Sequence, residues 1–316
     1  MIDQNFNWFY HPFHQEPLIV YIKQPWSYPE LLNFDQPMSV IVGFLTNRHE
    51  HHEQCLQWLR DRKLKFKNHH YEVLCDTEDL TNWFISQGQS ANFINENSFH
   101  DEKVFNILEC EKVYPLVYVA AADHYKNLWL LKEIEYDCLW ICGRITDEEL
   151  HDRVKAYPKV FMPEKPRLSK LEIVEALNRS MFGLCLSRQE ASMRASCEYV
   201  LCGLPVINVQ TTGGRYSANS CGRETLLDSR HIITVNDVSQ RALNVAVKDA
   251  LGVNFDARLI RKSYLEKRKP HRLRFIECLN RCAKHLGLGE IYSHKNSFPI
   301  HCNFNWRPVK NLLASN

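Results

Sequence analysis

Short apolar segments alternate with helical or polar segments along most of this chain, and this alternation is the strongest constraint on its fold. Seven segments have the length and apolar content of buried strands, at 38–46, 71–75, 114–122, 137–144, 159–163, 182–187 and 204–209. Helices are predicted over 47–63, with Asn47 as N-cap, and over 77–88. Because strands that alternate with helices form parallel βαβ units, ligands are expected beyond the carboxyl ends of the strands. The pattern therefore predicts an α/β protein whose functional residues follow its strands.

The length of 316 residues allows two domains with separate cores, since 45% of the residues are hydrophobic. The polar stretch 89–103 is typical of a crossover between domains and indicates a boundary near residue 110. We therefore expect an N-terminal acceptor-side domain over 1–112, a C-terminal ligand-binding domain over 113–290 and a tail over 291–316.

Charge and cysteine content exclude several protein classes. The chain has 39 Lys and Arg against 37 Asp and Glu, a net charge of +2, so no strong overall field attracts nucleic acid or membranes. No apolar run is long enough to span a bilayer, and the N-terminus lacks the pattern of a signal peptide, which predicts a cytoplasmic protein. The 12 cysteines include no CxxC pair and are expected to be reduced core residues.

The stretch EASMRASCEYVLCGLPVI places two glutamates eight positions apart. Glu190 is expected in the loop after a strand, and Glu198 on a helix over about 193–202 that ends at Gly203. Ser192 is expected to cap this helix, whose free N–H groups and dipole favour phosphate. Carboxylates for hydroxyl groups and amides for phosphate together suit a nucleotide sugar as the ligand.

Glu190, the seven residues after it, Glu198 and YVLCGLPVI resemble the nucleotide-binding signature of the retaining glycosyltransferases of family 4. The spacing of Gly203 and Pro205 after the helix glutamate is similar to the family's. The resemblance implies the GT-B fold, with two Rossmann-like domains facing a cleft, the N-terminal one abbreviated here. It also implies a hexosyltransferase that moves a sugar from a nucleoside diphosphate sugar to a hydroxyl of a carbohydrate or other acceptor, with retention. An ordinary βαβ unit with incidental acids is the alternative.

The resemblance assigns roles residue by residue. Glu190 would face the transferred sugar, Glu198 would bind the nucleotide ribose, and Lys126 would hold the diphosphate. The family's diphosphate arginine is missing, because Ala121 or Ala122 stands near its place. For Lys126 the alternative is a solvated lysine at a helix start.

Further donor-binding residues are also implied by the resemblance. Arg194 or Arg215 would replace the missing arginine, and the amides of Gly213 and Gly214 would approach the phosphate or sugar unless they form a plain turn. Gly143 and Met162 stand where the family forms its base pocket. The catalytic residues are thus expected to be Glu190 and Lys126, with neither metal nor cofactor; the absence of a DxD motif agrees with metal independence.

Three polar clusters favour structural interpretations. His49 and His52 are expected on a polar helix face rather than on a metal, and 99–103 as a helix start rather than a catalytic dyad. The basic run 258–275 predicts either contact with an anionic acceptor or phospholipid head groups, or a solvated helix interrupted at Pro270, which we favour.

Two other functions compete with glycosyl transfer. The missing arginine and short N-terminal half fit a non-catalytic nucleotide-sugar-binding protein with a GT-B-like domain. The run 258–275 fits an RNA-binding protein, although the near-neutral charge leads us to expect no nucleic acid partner.

Overall fold

The computed structural model describes residues 9–15, 17–22, 25, 35–45, 49–165, 167–187, 193–209, 226–290 and 307–308. The chain forms two compact units, Met1–Phe99 with Lys269–Asn316, and His100–Arg268. The expected domains differ from these units in two places. Residues 100–112 belong to the second unit, and residues 269–290 return to the first.

The strands of the described residues form two six-stranded sheets. The first contains β1 (Phe9–His14), β2 (Leu18–Ile22), β3 (Met38–Leu45), β4 (His69–Cys75), β5 (Ala91–Phe93) and β12 (Arg307–Pro308). The second contains β6 (Tyr114–Val119), β7 (Cys138–Ile141), β8 (Val160–Phe161), β9 (Ser180–Cys185), β10 (Val206–Val209) and β11 (Ile232–Val235).

The α-helices of the described residues lie between these strands or after them. They are α1 (His49–Lys65), α2 (Glu78–Ser86), α3 (Glu148–Lys155), α4 (Lys170–Asn178), α5 (Arg194–Leu201), α6 (Gln240–Leu251), α7 (Ala257–Lys267) and α8 (Lys269–His285). All seven predicted strands occur, as β3, β4 and β6 to β10, and both predicted helices occur, as α1 and α2. Asn47 lies outside the described residues. Residues 100–103 are not helical, so the helix start predicted over 99–103 is wrong.

The first sheet has the order β12-β1-β2-β3-β4-β5, with β2 to β5 parallel and β1 antiparallel to both neighbours. Alternate residues of its strands are buried on opposite faces. Ile19, Tyr21 and Ile41 pack with α8, whereas Val20 and Val40 pack with α1 and α2. Helix α8 thus covers one face of the first sheet, and helices α1 and α2 of the abbreviated N-terminal half cover the other face.

The basic run 258–275 is divided between α7 and α8. Helix α7 ends with Arg268 as C-cap, and Pro270 lies in the first turn of α8, where its missing N–H is tolerated. The helix predicted over this run is interrupted, as expected, with the break at Arg268, two residues before Pro270. Four arginines of the run donate to backbone carbonyls of their own unit: Arg261 to Glu102, Phe105 and Leu201, Arg268 to His100, Arg272 to Ser98, and Arg274 to Phe93. These side chains are part of the packing, so the solvated helix expected here is wrong for them.

The second sheet is parallel throughout and has the order β8-β7-β6-β9-β10-β11. Chain order therefore reverses between β6 and β9, at the centre of the sheet. In open α/β sheets such a switch point opens a crevice at the carboxyl ends of the two strands, where ligands bind. The candidate functional residues follow these strands.

Candidate functional site

Lys126 follows β6 in a 3₁₀ helix over His124–Lys126. Its side chain is 7% exposed, and its Nζ lies 4.6 Å from the centre of the Tyr125 ring. Tyr118 Oη donates to the carbonyl of Lys126 at 2.7 Å, and Asn127 Nδ2 donates to the carbonyl of Leu186 at 2.9 Å. The loop after β6 is thereby fixed to the end of β9. The alternative of a solvated lysine does not fit this burial.

Of the two alanines near the position expected for the family's arginine, Ala121 is half-buried and Ala122 is buried. Ala122 is 0% exposed and forms a β-bridge with Ile145, and its carbonyl accepts a 2.5 Å hydrogen bond from Thr146 Oγ1. Of the two proposed replacements, Arg194 is the first residue of α5 and is exposed, and Arg215 lies outside the described residues.

Glu198 lies in the middle of α5 with 9% exposure. Burial raises the pKa of its carboxyl group to about 7, although the positive charges of Arg194 and Lys170 oppose the shift. The nearest cation-forming group is His100, whose Nδ1 lies 3.8 Å from Oε1 of Glu198. A carboxyl group in this setting can hydrogen-bond to a hydroxyl group without strong competition from water.

Helix α5 is held against β9 by close packing. A Cβ on Gly183 would lie 2.2 Å from the ring of Tyr199, and Tyr199 Oη accepts a 2.7 Å hydrogen bond from the amide of Val119. Gly203 has a φ of +78°, and a Cβ there would lie 2.7 Å from Cβ of Ala257. The glycine that the signature shares with family 4 therefore ends the helix in a conformation that favours glycine.

The structure corrects the predicted start of α5. Met193 occupies the N-cap position, so the prediction that Ser192 caps the helix is wrong. Ser192 itself, Glu190, Gly213 and Gly214 lie outside the described residues. Their predicted roles stay predictions.

Gly143 and Met162 line the same cavity, of about 220 Å³, beyond the carboxyl ends of β7 and β8. A Cβ on Gly143 would meet no atom within 4 Å, so glycine is not required there by packing. Lys165 and Arg167 also line the cavity, and Lys165 forms a 2.6 Å ion pair with Glu172. Sequence reasoning missed these two basic residues, although both follow closely after a predicted strand.

His100 is the other residue that sequence reasoning did not connect with the site. It is 4% exposed, and its carbonyl accepts a 3.1 Å hydrogen bond from Arg268, which pairs with Glu102 at 2.7 Å. No local pattern could have joined His100 to Glu198, because the contact depends on the tertiary fold.

Metal ligands and membrane-spanning helices were sought among the described residues. No group of three or more His, Cys, Asp or Glu within the described ranges could hold a metal ion. His52 is 6% exposed and packs against the rings of Trp83 and Phe84, so it is a core residue and not part of a polar face. No described helix is long and apolar enough to cross a bilayer.

Solved structures that resemble this chain include several glycosyltransferases. A glycosyltransferase from Rickettsia africae ESF-5 matches over 79% of this chain and 77% of its own, with a TM-score of 0.55 and 12% identity. For a sucrose-phosphate synthase from Thermosynechococcus elongatus the coverages are 94% and 74%, the TM-score 0.54 and the identity 14%. The pneumococcal O-GlcNAc transferase in complex with UDP and GlcNAc matches over 83% of this chain and 59% of its own, with a TM-score of 0.51 and 13% identity. Neither a protein-family model nor a curated protein matches the sequence.

At such low identities the likeness establishes the fold alone. Strands β2 to β5 of the first unit and all strands of the second sheet are parallel, and the second sheet has the strand order of a doubly wound nucleotide-binding sheet. The chain therefore has the GT-B fold, with two Rossmann-like units of which the N-terminal one is abbreviated.

Proposed function

We propose that this protein is a retaining glycosyltransferase that moves a hexose from a nucleoside diphosphate sugar to a hydroxyl acceptor without a metal ion. The observation that carries the proposal is the pair of buried side chains that follow the two strands of the switch point. Lys126 follows β6, and Glu198 lies on the helix that follows β9. A cation after β6 and a carboxyl group on the helix after β9 suit the two polar parts of a nucleotide, its phosphates and its ribose.

Glu198 is assigned to the ribose. A buried carboxylate accepts hydrogen bonds from hydroxyl groups more strongly than a solvated one, because the local dielectric is lower. The cavity lined by Gly143 and Met162 lies beyond β7 and β8, and β7 is two strands from β9 in the same sheet. Its volume of about 220 Å³ supports its assignment to the nucleoside base.

Lys126 is assigned to the diphosphate, with Arg194, Arg215 and the amides of Gly213 and Gly214 as further donors. Their common role is to stabilise the negative charge that grows on the diphosphate as the sugar departs. Glu190 would contact the hydroxyl groups of the transferred sugar. The departing phosphate is the proposed base for front-face attack, so no protein side chain is assigned that role.

Binding and turnover test the proposal separately. Thermal shift with UDP-, GDP- and ADP-sugars in metal-free buffer should raise the melting temperature with at least one donor, because a ligand of the folded state stabilises it by mass action. Release of the nucleoside diphosphate in the presence of an acceptor panel should follow. Failure of all three donors in EDTA, with recovery only on addition of a divalent ion, would contradict the metal-independent mechanism.

A nucleotide-sugar-binding protein without turnover is the second candidate. The alanines at 121 and 122 support it, because a cation expected to aid departure of the diphosphate is missing there. Donor binding without release of nucleoside diphosphate across the acceptor panel would favour this candidate.

The cytoplasmic location and membrane contact through 258–275 stay predictions.

A further inference from the structure

The first unit contains a basic cavity at the edge of its sheet where β4 begins. Its volume is about 340 Å³, and the residues that line it include Lys63, Phe66, Lys67, His69, His70 and Ser90. These residues come from the end of α1, the start of β4 and the position before β5. The carboxyl edge of this sheet is about 20 Å away, given the rise of about 3.3 Å per residue along a strand. The cavity is therefore separate from the carboxyl edge, where ligands of parallel sheets bind.

The cavity has an excess of positive charge. Residues 60–67 contain five basic side chains and one acid, Asp61. Arg62 is 4% exposed and packs over the rings of Trp58 and Phe66, so its charge is largely covered. Lys63 and Lys67 are exposed, and neither ammonium group forms a hydrogen bond or an ion pair with another described residue, although the charge of Glu72 acts on Lys63.

The floor of the cavity is held in place by contacts of its own. The His69 ring stacks on Phe66 at 4.8 Å, and its two nitrogens lie 3.1 Å from Tyr71 Oη and from the carbonyl of Gln36. His70 is fixed by Glu72, with 3.0 Å between Nε2 and Oε1. The shape of the cavity is thus set before any ligand enters, which reduces the ordering cost of binding.

The acid closest to the cavity is already neutralised by its neighbours. Glu72 is 0% exposed, and Arg281 donates to both of its carboxylate oxygens, at 2.9 and 3.2 Å. Ser90 Oγ and Asn92 Nδ2 donate to Oε2 at 2.8 and 2.7 Å. The charges that remain open to a ligand are those of the two lysines.

We propose that this cavity binds the phosphate group of a phosphomonoester through the ammonium groups of Lys63 and Lys67. Lysine is a common point-charge ligand for phosphate. Lys63, on α1, and Lys67, two residues beyond the end of that helix, line the same cavity and can reach one anion there. Such a phosphate occurs in the head group of an anionic lipid, where it is joined to an apolar part. A soluble phosphate ester offers the same phosphate chemistry without the apolar part.

The test uses the full chain and two matched double variants. Lys63→Gln with Lys67→Gln removes the proposed ligands, and Lys155→Gln with Lys248→Gln removes two exposed lysines elsewhere. Calorimetry with glycerol 3-phosphate, against chloride at equal ionic strength, measures soluble phosphate. Co-sedimentation with phosphatidylcholine vesicles, with and without phosphatidic acid, measures phosphate in a lipid head group.

The wild type should bind in at least one arm, and Lys63→Gln with Lys67→Gln should lower that affinity by about tenfold or more, since a charge-assisted hydrogen bond is lost at each position. The control pair should bind like the wild type. Binding to glycerol 3-phosphate would make a soluble ester the source of the phosphate, and binding to phosphatidic acid vesicles alone would make a lipid the source. Absence of binding in both arms, or equal affinities of the two double variants, would overturn the proposal. Nucleoside diphosphate affinity should be the same in all three proteins, which keeps this site distinct from the donor site.

Discussion

Glu198 and His100 face each other inside the second unit, with 3.8 Å between Oε1 and Nδ1. Both side chains are buried, and the backbone of His100 is held by Arg268. Burial raises the pKa of Glu198, and the positive charges of Arg194 and Lys170 oppose that shift. Two consequences can be measured, one in stability and one in ligand binding.

Stability should depend on the ionisation of Glu198. Its pKa is about 7 in the folded protein and 4.5 in the ordinary case, so the unfolded chain loses this proton first as the pH rises. The contribution to the free energy of unfolding is fully present below pH 4.5 and is lost as the pH rises through 7, by about 3 kcal/mol. The free energy of unfolding in urea should therefore differ less between pH 5 and pH 8 in Glu198→Gln than in the wild type. The exposed Glu148→Gln is the control. If the free energy of unfolding of Glu198→Gln changes between pH 5 and pH 8 by as much as that of Glu148→Gln, the assignment is contradicted.

The two glutamates of the signature should respond differently to the same substitution. Glu198→Gln should weaken binding of nucleoside diphosphate and of nucleotide sugar alike, by about 1.5–3 kcal/mol, because both contain the ribose. Glu190→Gln should leave nucleoside diphosphate affinity nearly intact and lower transfer, because its contact exists only with the sugar. Calorimetry with the nucleoside diphosphate and a transfer assay read the two effects. If both variants lose nucleoside diphosphate affinity equally, the division of roles is refuted.

Local sequence patterns identified most of the strands and one side of the site. Apolar runs predicted β3, β4 and β6 to β10, and the same rule could have found β2 and β11, whose sequences LIVYI and IITV are as apolar. The three-residue β5 gives no such signal, because pairing with β4 defines it. The signature placed Glu198 on a helix after a strand, and its glycine at the end of that helix.

The rest of the site depends on contacts between residues far apart in sequence. His100 reaches Glu198, and α8 returns to cover the first sheet, without any periodicity that announces either contact. The basic run 258–275 was misleading for the same reason. A run of arginines has the same appearance in sequence whether its guanidinium groups meet solvent or backbone carbonyls.

Packing between β9 and α5 gives a prediction with an internal control. Gly183→Ala should lower the free energy of unfolding by about 1–3 kcal/mol or more, because its Cβ would overlap the Tyr199 ring, which is 0% exposed and hydrogen-bonded. Gly143→Ala should leave stability unchanged, because no atom lies within 4 Å of its Cβ. Thermal unfolding of both variants measures the difference. Equal melting temperatures would mean that helix and strand are not packed this closely.

The ion pair of Glu72 with Arg281 should hold α8 on the first sheet. Burial alone would raise the pKa of Glu72, but hydrogen bonds from His70 and Arg281, the charge of Arg281 and a hydrogen bond from Asn92 lower it to about 2. The stabilisation is present above pH 4.5, the ordinary value, and is lost as the pH falls toward 2, because the unfolded chain takes up the proton first.

Glu72→Gln removes the charge and should cost about 3 kcal/mol at pH 7, since Arg281 loses its buried partner. Amide hydrogen exchange reads this locally, because opening of one element is seen apart from unfolding of the other unit. At pH 7 the amides of α8 should exchange much faster in Glu72→Gln than in the wild type. At pH 3 the difference between the two proteins should be much smaller. The exposed Glu277→Gln, on α8 itself, should exchange like the wild type at both values. Unchanged protection of α8 in Glu72→Gln at pH 7 would show that apolar packing alone holds the returning helix.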